Sequence, residues 1–330
     1  MKAIRTAAFG GPEVLTFEDI ADPTPGAGEV VVDIKAAGLN PSDVYMLTGV
    51  YLVVPDLPFT PGYDAAGVVS APSDGVGGLN VGDRVIVGAP LSLDDSRKDL
   101  GITGCFAEKV VRRAADLSKL PENTSFAQGA AIGVPYATAH YGLFGRGGGK
   151  AGETVFIHGA SGAVGTAAIQ LAKRAGMQVI GSAGTAQGLD LVRELGADLA
   201  VNHREDGYID EVRKASNGGP QLILEMLANE NLATDLDLIP KFGRIVIIGA
   251  RAETTINPRA IMMKDADVRG LVLFNASRED REAIMHDLVA GLADGSLSPI
   301  IGTEMPLADT AAAYTKVMEP GAHGKIALIP

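Results

Sequence analysis

The clearest chemistry lies in Val155-Phe156-Ile157-His158-Gly159-Ala160-Ser161-Gly162-Ala163-Val164-Gly165, an apolar strand pattern running through a glycine turn into a helix. Such a turn suits a phosphate. The helix N-terminus presents unpaired N–H groups, and a missing side chain lets the anion come close. Gly162 fits the close-approach position and Gly165 the tight helix–strand contact, while Ala160 stands where a dinucleotide fingerprint usually has its first glycine. Ser161 reads as a phosphate-facing turn residue, because a hydrolase nucleophile elbow would need a glycine in place of Ala163. NAD sites carry a carboxylate about 20 positions further on to bond the ribose 2′-hydroxyl. Here that place holds Ser182-Ala183-Gly184-Thr185, and no acid follows until Asp190. A 2′-phosphate would meet no repulsion there, and Asn202-His203-Arg204 at the end of a later strand offers it positive charge and donors. The expected cofactor is NADP(H).

Other chemistries lack their residues. Gly149-Lys150 has Phe144 where a P-loop needs glycine and Ala151 where it needs Ser or Thr. None of the seven tyrosines has a lysine four residues later, and no His-Glu-x-x-His pattern occurs. His140, His158, His286 and His323 read as structural or surface residues. The single cysteine, Cys105, rules out an intramolecular disulfide and any zinc site built from two or more thiolates.

These residues need elements to hold them. The strand patterns at 154–158, 178–182, 199–202, 222–226, 244–248 and 268–274 are apolar runs rather than alternations, which predicts a parallel sheet buried on both faces. Between the first two, Val164, Ala168, Leu171 and Ala175 form one stripe on a helix over 163–175. This is the pattern of a doubly wound α/β domain. Before residue 126 the runs are shorter and broken by Gly, Pro and Asp, at 30–34, 66–69, 84–87 and 106–111, which predicts a partly open, barrel-like β region. Residues 89–102 read as an exposed loop. A helix over 278–293 precedes a return to short strands that rejoins the first region. The expected domains are 1–125 with 297–330, and 126–296.

With 330 residues the chain has room for about two domains at ~100–200 residues each. A formal charge of −12 would repel a phosphate backbone or an anionic membrane, so neither is an expected partner. No signal peptide or membrane span is read in the sequence, and one cysteine fits a reducing compartment. A cytoplasmic protein acting on a small molecule is expected.

Taken together, the chain resembles the zinc-independent, zeta-crystallin-like quinone oxidoreductases of the medium-chain dehydrogenase/reductase superfamily. The segments that carry the resemblance include Phe9-Gly10-Gly11-Pro12-Glu13-Val14-Leu15, Gly38-Leu39-Asn40-Pro41-Ser42-Asp43, Thr60-Pro61-Gly62-Tyr63-Asp64 and Glu225-Met226-Leu227-Ala228-Asn229, besides the glycine turn. The resemblance implies a Rossmann cofactor domain inserted into a GroES-like domain. Zinc alcohol dehydrogenases of the superfamily place a cysteine and a histidine ligand in the segments where this chain has Asn40 and Tyr63, so it implies no metal. It also implies Ser161, Gly162, Ala163 and Val164 at the pyrophosphate, with Gly184 and His203 at the ribose phosphate. Tyr45, Thr138, Asn231, Ile248, Gly249, Ala250, Arg251, Leu271, Val272 and Leu273 are implied at the nicotinamide half, and Lys325 as a basic residue returning towards the cofactor.

Without a metal, negative charge on the acceptor must be met by hydrogen-bond donors. The Tyr45 hydroxyl and the Asn40 amide are the expected donors, with Tyr51, Tyr63 and Tyr136 as apolar walls. A quinone suits this chemistry, being electrophilic and gaining aromaticity on reduction. An activated C=C bond in an enone, 2-alkenal or haloacrylate is the alternative acceptor, and an NADPH-binding module without turnover is the alternative of another class. The apolar run Arg269-Gly270-Leu271-Val272-Leu273-Phe274 would be a hazardous free sheet edge. It predicts a homodimer, with a tetramer as the larger assembly.

Overall fold

Strands with alternating burial and strands buried along their whole length occur in different parts of the chain, and they build different sheets. The computed structural model describes residues 1–52, 54–72, 77–88 and 104–330. Its contacts divide into one unit of Met1–Val134, Ser277–Pro320 and Gly324–Pro330, and a second of Pro135–Ala276 with Gly321–His323.

The first unit begins with β1 (Lys2–Arg5), β2 (Thr16–Asp19), β3 (Glu29–Leu39), α1 (Pro41–Leu47), β4 (Asp64–Pro72), β5 (Arg84–Val87), β6 (Lys109–Arg113), β7 (Leu117–Lys119) and α2 (Phe126–Gly129). The second holds α3 (Ala137–His140), β8 (Thr154–Ile157), α4 (Ala163–Arg174), β9 (Gln178–Ala183), α5 (Ala186–Glu194), β10 (Leu199–Asn202) and α6 (Tyr208–Ala215). It continues through β11 (Leu222–Glu225), α7 (Ala228–Leu238), β12 (Arg244–Ile247), α8 (Pro258–Met262) and β13 (Asp267–Gly270). The chain returns to the first unit with α9 (Arg278–Ala293), β14 (Ile301–Pro306), α10 (Thr310–Val317) and β15 (Lys325–Ile329).

In the first unit a seven-stranded sheet runs β14-β15-β3-β4-β5-β7, and β6 also pairs with β3. β3 serves three neighbours because it is long. Its start pairs with β6, its end with β15, and its ladder to β4 shifts register at Val31/Val32 and Ile34/Ala36. Such irregularities bend a strand. This is the partly open barrel, with Phe106 packed edge-on against Tyr314 in its core.

In the second unit six parallel strands run β10-β9-β8-β11-β12-β13. This is the Rossmann order. Ligands of such sheets bind beyond the carboxyl ends where the order reverses, which here lies between β8 and β11. Of the predicted stripe, Ala168 and Leu171 are buried, while Val164 and the capping Ala175 are half-buried, the helix ending at Arg174.

The structure differs from expectation at one strand end and in how the chain groups. The last parallel strand stops at Gly270 instead of reaching 274, because its partner β12 ends opposite, at Ile247. A 3₁₀ turn at Leu273–Asn275 follows. Residues 126–134 and 277–296 group with the barrel unit, since Asn123 Nδ2 donates to Leu292 O at 2.9 Å and Gln128 Nε2 to Ser298 Oγ at 3.3 Å. The loop at 89–102 lies outside the described residues. Among those described, no helix is long and apolar enough to cross a membrane.

The turn between β8 and α4 depends on one close approach. A Cβ on Gly165 would come within 2.5 Å of Ala160 Cα and of Gly159 O, both backbone atoms. Gly165→Ala should therefore destabilise the protein by about 1–3 kcal/mol, measured as a shift in the urea midpoint.

Candidate functional site

Gly159 takes a left-handed φ of 56°, which turns the chain sharply off β8. Ala160 N–H is anchored to Ser182 O at 2.7 Å, and Gly162 caps α4 without any side-chain bond to the helix. The first N–H groups of α4, on Ala163 and Val164, are left for an incoming anion. A Cβ on Gly162 would meet the protein only at 3.4 Å or more, and its φ is an ordinary −77°. Packing alone does not demand glycine there, so the bare backbone leaves room for something above the turn. The Ser161 hydroxyl donates to Ala322 O at 2.8 Å.

Beyond β9, the residues singled out for the ribose phosphate converge. A Cβ on Gly184 would fall 2.6 Å from His203 Nε2 and 2.9 Å from Arg204 Nε. Glu205 accepts from Asn202 Nδ2 at 2.8 Å, and among the described residues no ion pair joins Arg204 to a carboxylate. Partial desolvation holds His203 below its ordinary pKa, helped by His158 and Arg204.

At the ends of β11 and β12 two further candidate segments are tied together. Ile248 N–H donates to Glu225 O at 2.8 Å, Ala228 N–H to Gly249 O at 2.9 Å, and Arg251 N–H to Asn229 Oδ1 at 2.8 Å. Glycine is required at 249, where a Cβ would lie 2.5 Å from Met226 O. A Cβ on Gly142 would touch Ile248 and Leu271 at about 3.5 Å, so these two side chains flank one spot on the helical segment after Thr138. Leu271 and Leu273 are buried, Val272 is half-buried, Thr138 is buried on α3, and Ala250 is exposed.

Sequence reasoning missed the cluster beneath these loops. His158, Glu225 and Asp235 are all buried, and their ligand-type atoms lie within 4.8 Å of one another. A signal existed: His158 closes one apolar strand and Glu225 another, at the two strand ends where a charged group has no alternating face to occupy.

The first unit gathers a second buried polar group around the start of α1. Asn40 caps the helix and its backbone N–H donates to Asp43 Oδ2 at 2.8 Å. Its Nδ2 donates to Asp64 Oδ2 at 2.9 Å, while its Oδ1 accepts from Lys325 Nζ. The amide expected to face an acceptor is thus committed inside the protein. Lys325, expected at a cofactor, is 2% exposed, with its ammonium 3.2 Å from Asp64 Oδ2. Burial lowers the pKa of Lys325 and raises that of Asp43 to about 8. Tyr45 is half-buried on α1 and stacks with Tyr51 at 6.3 Å. Tyr63 and Tyr136 are each 1% exposed, packed inside rather than lining a wall, and the Tyr136 hydroxyl accepts from Gln170 Nε2 at 2.9 Å. Cys105 is buried with its thiol pushed up to about 11, chiefly by desolvation, and Arg112 Nη2 donates to its sulfur at 3.3 Å.

Comparison with known proteins returns the same two-part plan. Residues 26–122 match the alcohol dehydrogenase GroES-like domain, and residues 163–291 match the zinc-binding dehydrogenase domain. A quinone oxidoreductase of Homo sapiens is 41% identical over 332 aligned residues, covering 100% of this chain and 98% of that protein. A quinone oxidoreductase of Thermus thermophilus, solved also in complex with NADPH, superposes with a TM-score of 0.84 at 32% identity, covering 100% of both chains. An NAD-dependent alcohol dehydrogenase does so with a TM-score of 0.92 at 30% identity, again over 100% of both chains.

The Lys325–Asp64 pair has a measurable consequence. Lys325→Met leaves a buried carboxylate without its cation and should cost about 3–5 kcal/mol. Adding Asp64→Asn should recover part of that loss, and urea unfolding of both variants checks it.

Proposed function

Because the chain belongs to the zeta-crystallin-like quinone oxidoreductase family of the medium-chain dehydrogenase/reductase superfamily, we propose that it is an NADPH-dependent quinone reductase working without zinc. The observation that carries the cofactor choice is the corner at Gly184, where His203 and Arg204 close in and no carboxylate stands in Ser182-Ala183-Gly184-Thr185. That corner suits a 2′-phosphate better than a free hydroxyl, although one solved relative uses NAD.

Bound there, NADPH would supply a hydride to the acceptor. The N–H groups of Ala163 and Val164 bind the pyrophosphate, and His203 with Arg204 holds the 2′-phosphate. Thr138, Asn231, residues 248–251 and residues 271–273 frame the nicotinamide end. The Tyr45 hydroxyl donates to the acceptor oxygen as negative charge develops on it. Asn40 and Lys325 act indirectly, by fixing the start of the helix that carries Tyr45. A quinone needs no stronger electrophile than a hydrogen-bond donor.

The donor set does not fit zinc. Asn40 and Tyr63 stand in the segments named for its ligands, the one thiol is buried with its pKa raised and accepts from Arg112, and a lysine ammonium already meets Asp64. The reading also includes a cytoplasmic homodimer joined through β13, which is the outer strand of the parallel sheet within this chain.

An NADPH oxidation assay over paired quinones and enones tests the reaction. Quinones should accelerate turnover most, and no acceleration by any of them sinks the reading. Replacing His203 and Arg204 together by alanine should raise KM for NADPH about ten-fold or more and narrow the preference over NADH. Sedimentation at micromolar concentration should give a dimer mass.

A further inference from the structure

The ends of β8 and β11 are neighbours at the point where the order of the parallel sheet reverses. Leu224 lies opposite Ile157, and the next residues are Glu225 and His158. His158 Nε2 is 2.8 Å from Asp235 Oδ1 and 3.2 Å from Glu225 Oε2. Asp235 comes from α7, one turn after Asn231. None of the three residues is more than 4% exposed.

Glu225 is the hub. Its Oε1 accepts from the Leu227 N–H and from Asn231 Nδ2 at 3.1 Å, and its carbonyl accepts from Ile248 N–H at 2.8 Å. Among the described residues, no donor other than the His158 ring approaches Glu225 Oε2 or Asp235 Oδ2, and the two carboxyl groups interact with one another. Two dry carboxyl groups beside one imidazole cannot all carry their ordinary charges, so a proton has to be kept among them.

We propose that Glu225, with His158 and Asp235, is a positioning unit for the cofactor site. Its shared proton lets the cluster stay buried, and the cluster holds the glycine turn, the Asn231 side chain and the strand end at Ile248 as one body. The inference rests on the reading of Asn231 and Ile248 as cofactor contacts. Burial raises Glu225 and Asp235 each to about 7 and lowers His158. The other titratable groups that sense the cluster are His203, through His158, and Tyr208, through both carboxyls; Arg204 acts on His203.

The sign of the pH effect follows. A carboxyl whose pKa is raised in the folded state contributes stability that is complete below its unfolded value and is lost as pH rises through the folded one. For Glu225 and Asp235 that loss runs from the ordinary carboxyl range, about pH 4, up to about pH 7, and is complete above it. His158 has the opposite sense, its contribution being lost as pH falls below the ordinary imidazole range.

The experiment uses the full chain, titrating NADPH by fluorescence and recording thermal melts from about pH 5 to pH 9, for wild type, Glu225→Gln and Glu225→Ala. Glutamine keeps an accepting oxygen for Leu227 and Asn231 but cannot exchange the proton; alanine loses both. Glu225→Ala should weaken NADPH binding about ten-fold or more, equivalent to about 1.4 kcal/mol. Wild type should lose melting temperature and NADPH affinity more steeply than Glu225→Gln between about pH 5 and pH 7, with the two profiles running parallel above that. Profiles for wild type and Glu225→Gln that stay parallel over the whole pH range overturn the inference, as does unchanged NADPH affinity in Glu225→Ala. Stoichiometric divalent metal in the purified wild type, absent from Glu225→Gln, also overturns it by giving the cluster a cation instead of a proton. If wild type binds no NADPH at any pH, the functional reading fails, and the melting curves alone still decide whether the cluster holds its proton.

Discussion

A carboxylate shut away from water has to be met by a cation, a proton or converging N–H groups, and each unit of this chain is organised around one such requirement. In the barrel unit the carboxylate is Asp64, which receives the Asn40 amide, the Val134 N–H and the Lys325 ammonium. These partners come from the end of β3, the segment after α2 and the start of β15, so one charge ties three distant stretches together. In the parallel-sheet unit it is Glu225, met by Leu227, Asn231 and a shared proton. Both groups sit at a strand terminus, Asp64 at the start of β4 and Glu225 at the end of β11, where a loop must be held still. That is the requirement a hydride-transfer site imposes, since small displacements of reacting groups cost rate steeply.

How much of this could be read beforehand depended on how local the cause was. The strand at Leu199–Asn202 and the helix at Arg278–Ala293 match expectation residue for residue, because short-range periodicity and a serine cap determine them. Leu271-Val272-Leu273-Phe274 has equally good strand composition yet is not a strand, since a ladder needs a partner and β12 has ended. The convergence of Gly184 and His203 was legible because both lie at the carboxyl ends of neighbouring strands. Asn40 and Lys325 were each noticed, but their contact spans 285 positions and turns two expected ligand contacts into one internal bond. The triad escaped for the same reason, its closest contact joining residues 77 apart.

Net charge behaves similarly. A total of −12 describes the surface at large, while within a few ångströms of Gly184 two basic side chains stand beside a stretch free of acids. The same locality applies to Cys105, whose reactivity is set by burial and Arg112 rather than by its being the single cysteine.

The position of β15 bears on the order in which the molecule is made. It lies between β14 and β3, yet in the chain it follows the entire parallel-sheet unit. As the polypeptide leaves the ribosome, β3 emerges early with Ala37, Gly38 and Leu39 lacking the strand that later pairs with them. The Rossmann unit can close on itself while that edge is still open. The nascent barrel therefore waits with a bare edge until the strand carrying Lys325 arrives. That strand brings the cation of Asp64 with it, so edge closure and charge neutralisation are completed in a single event.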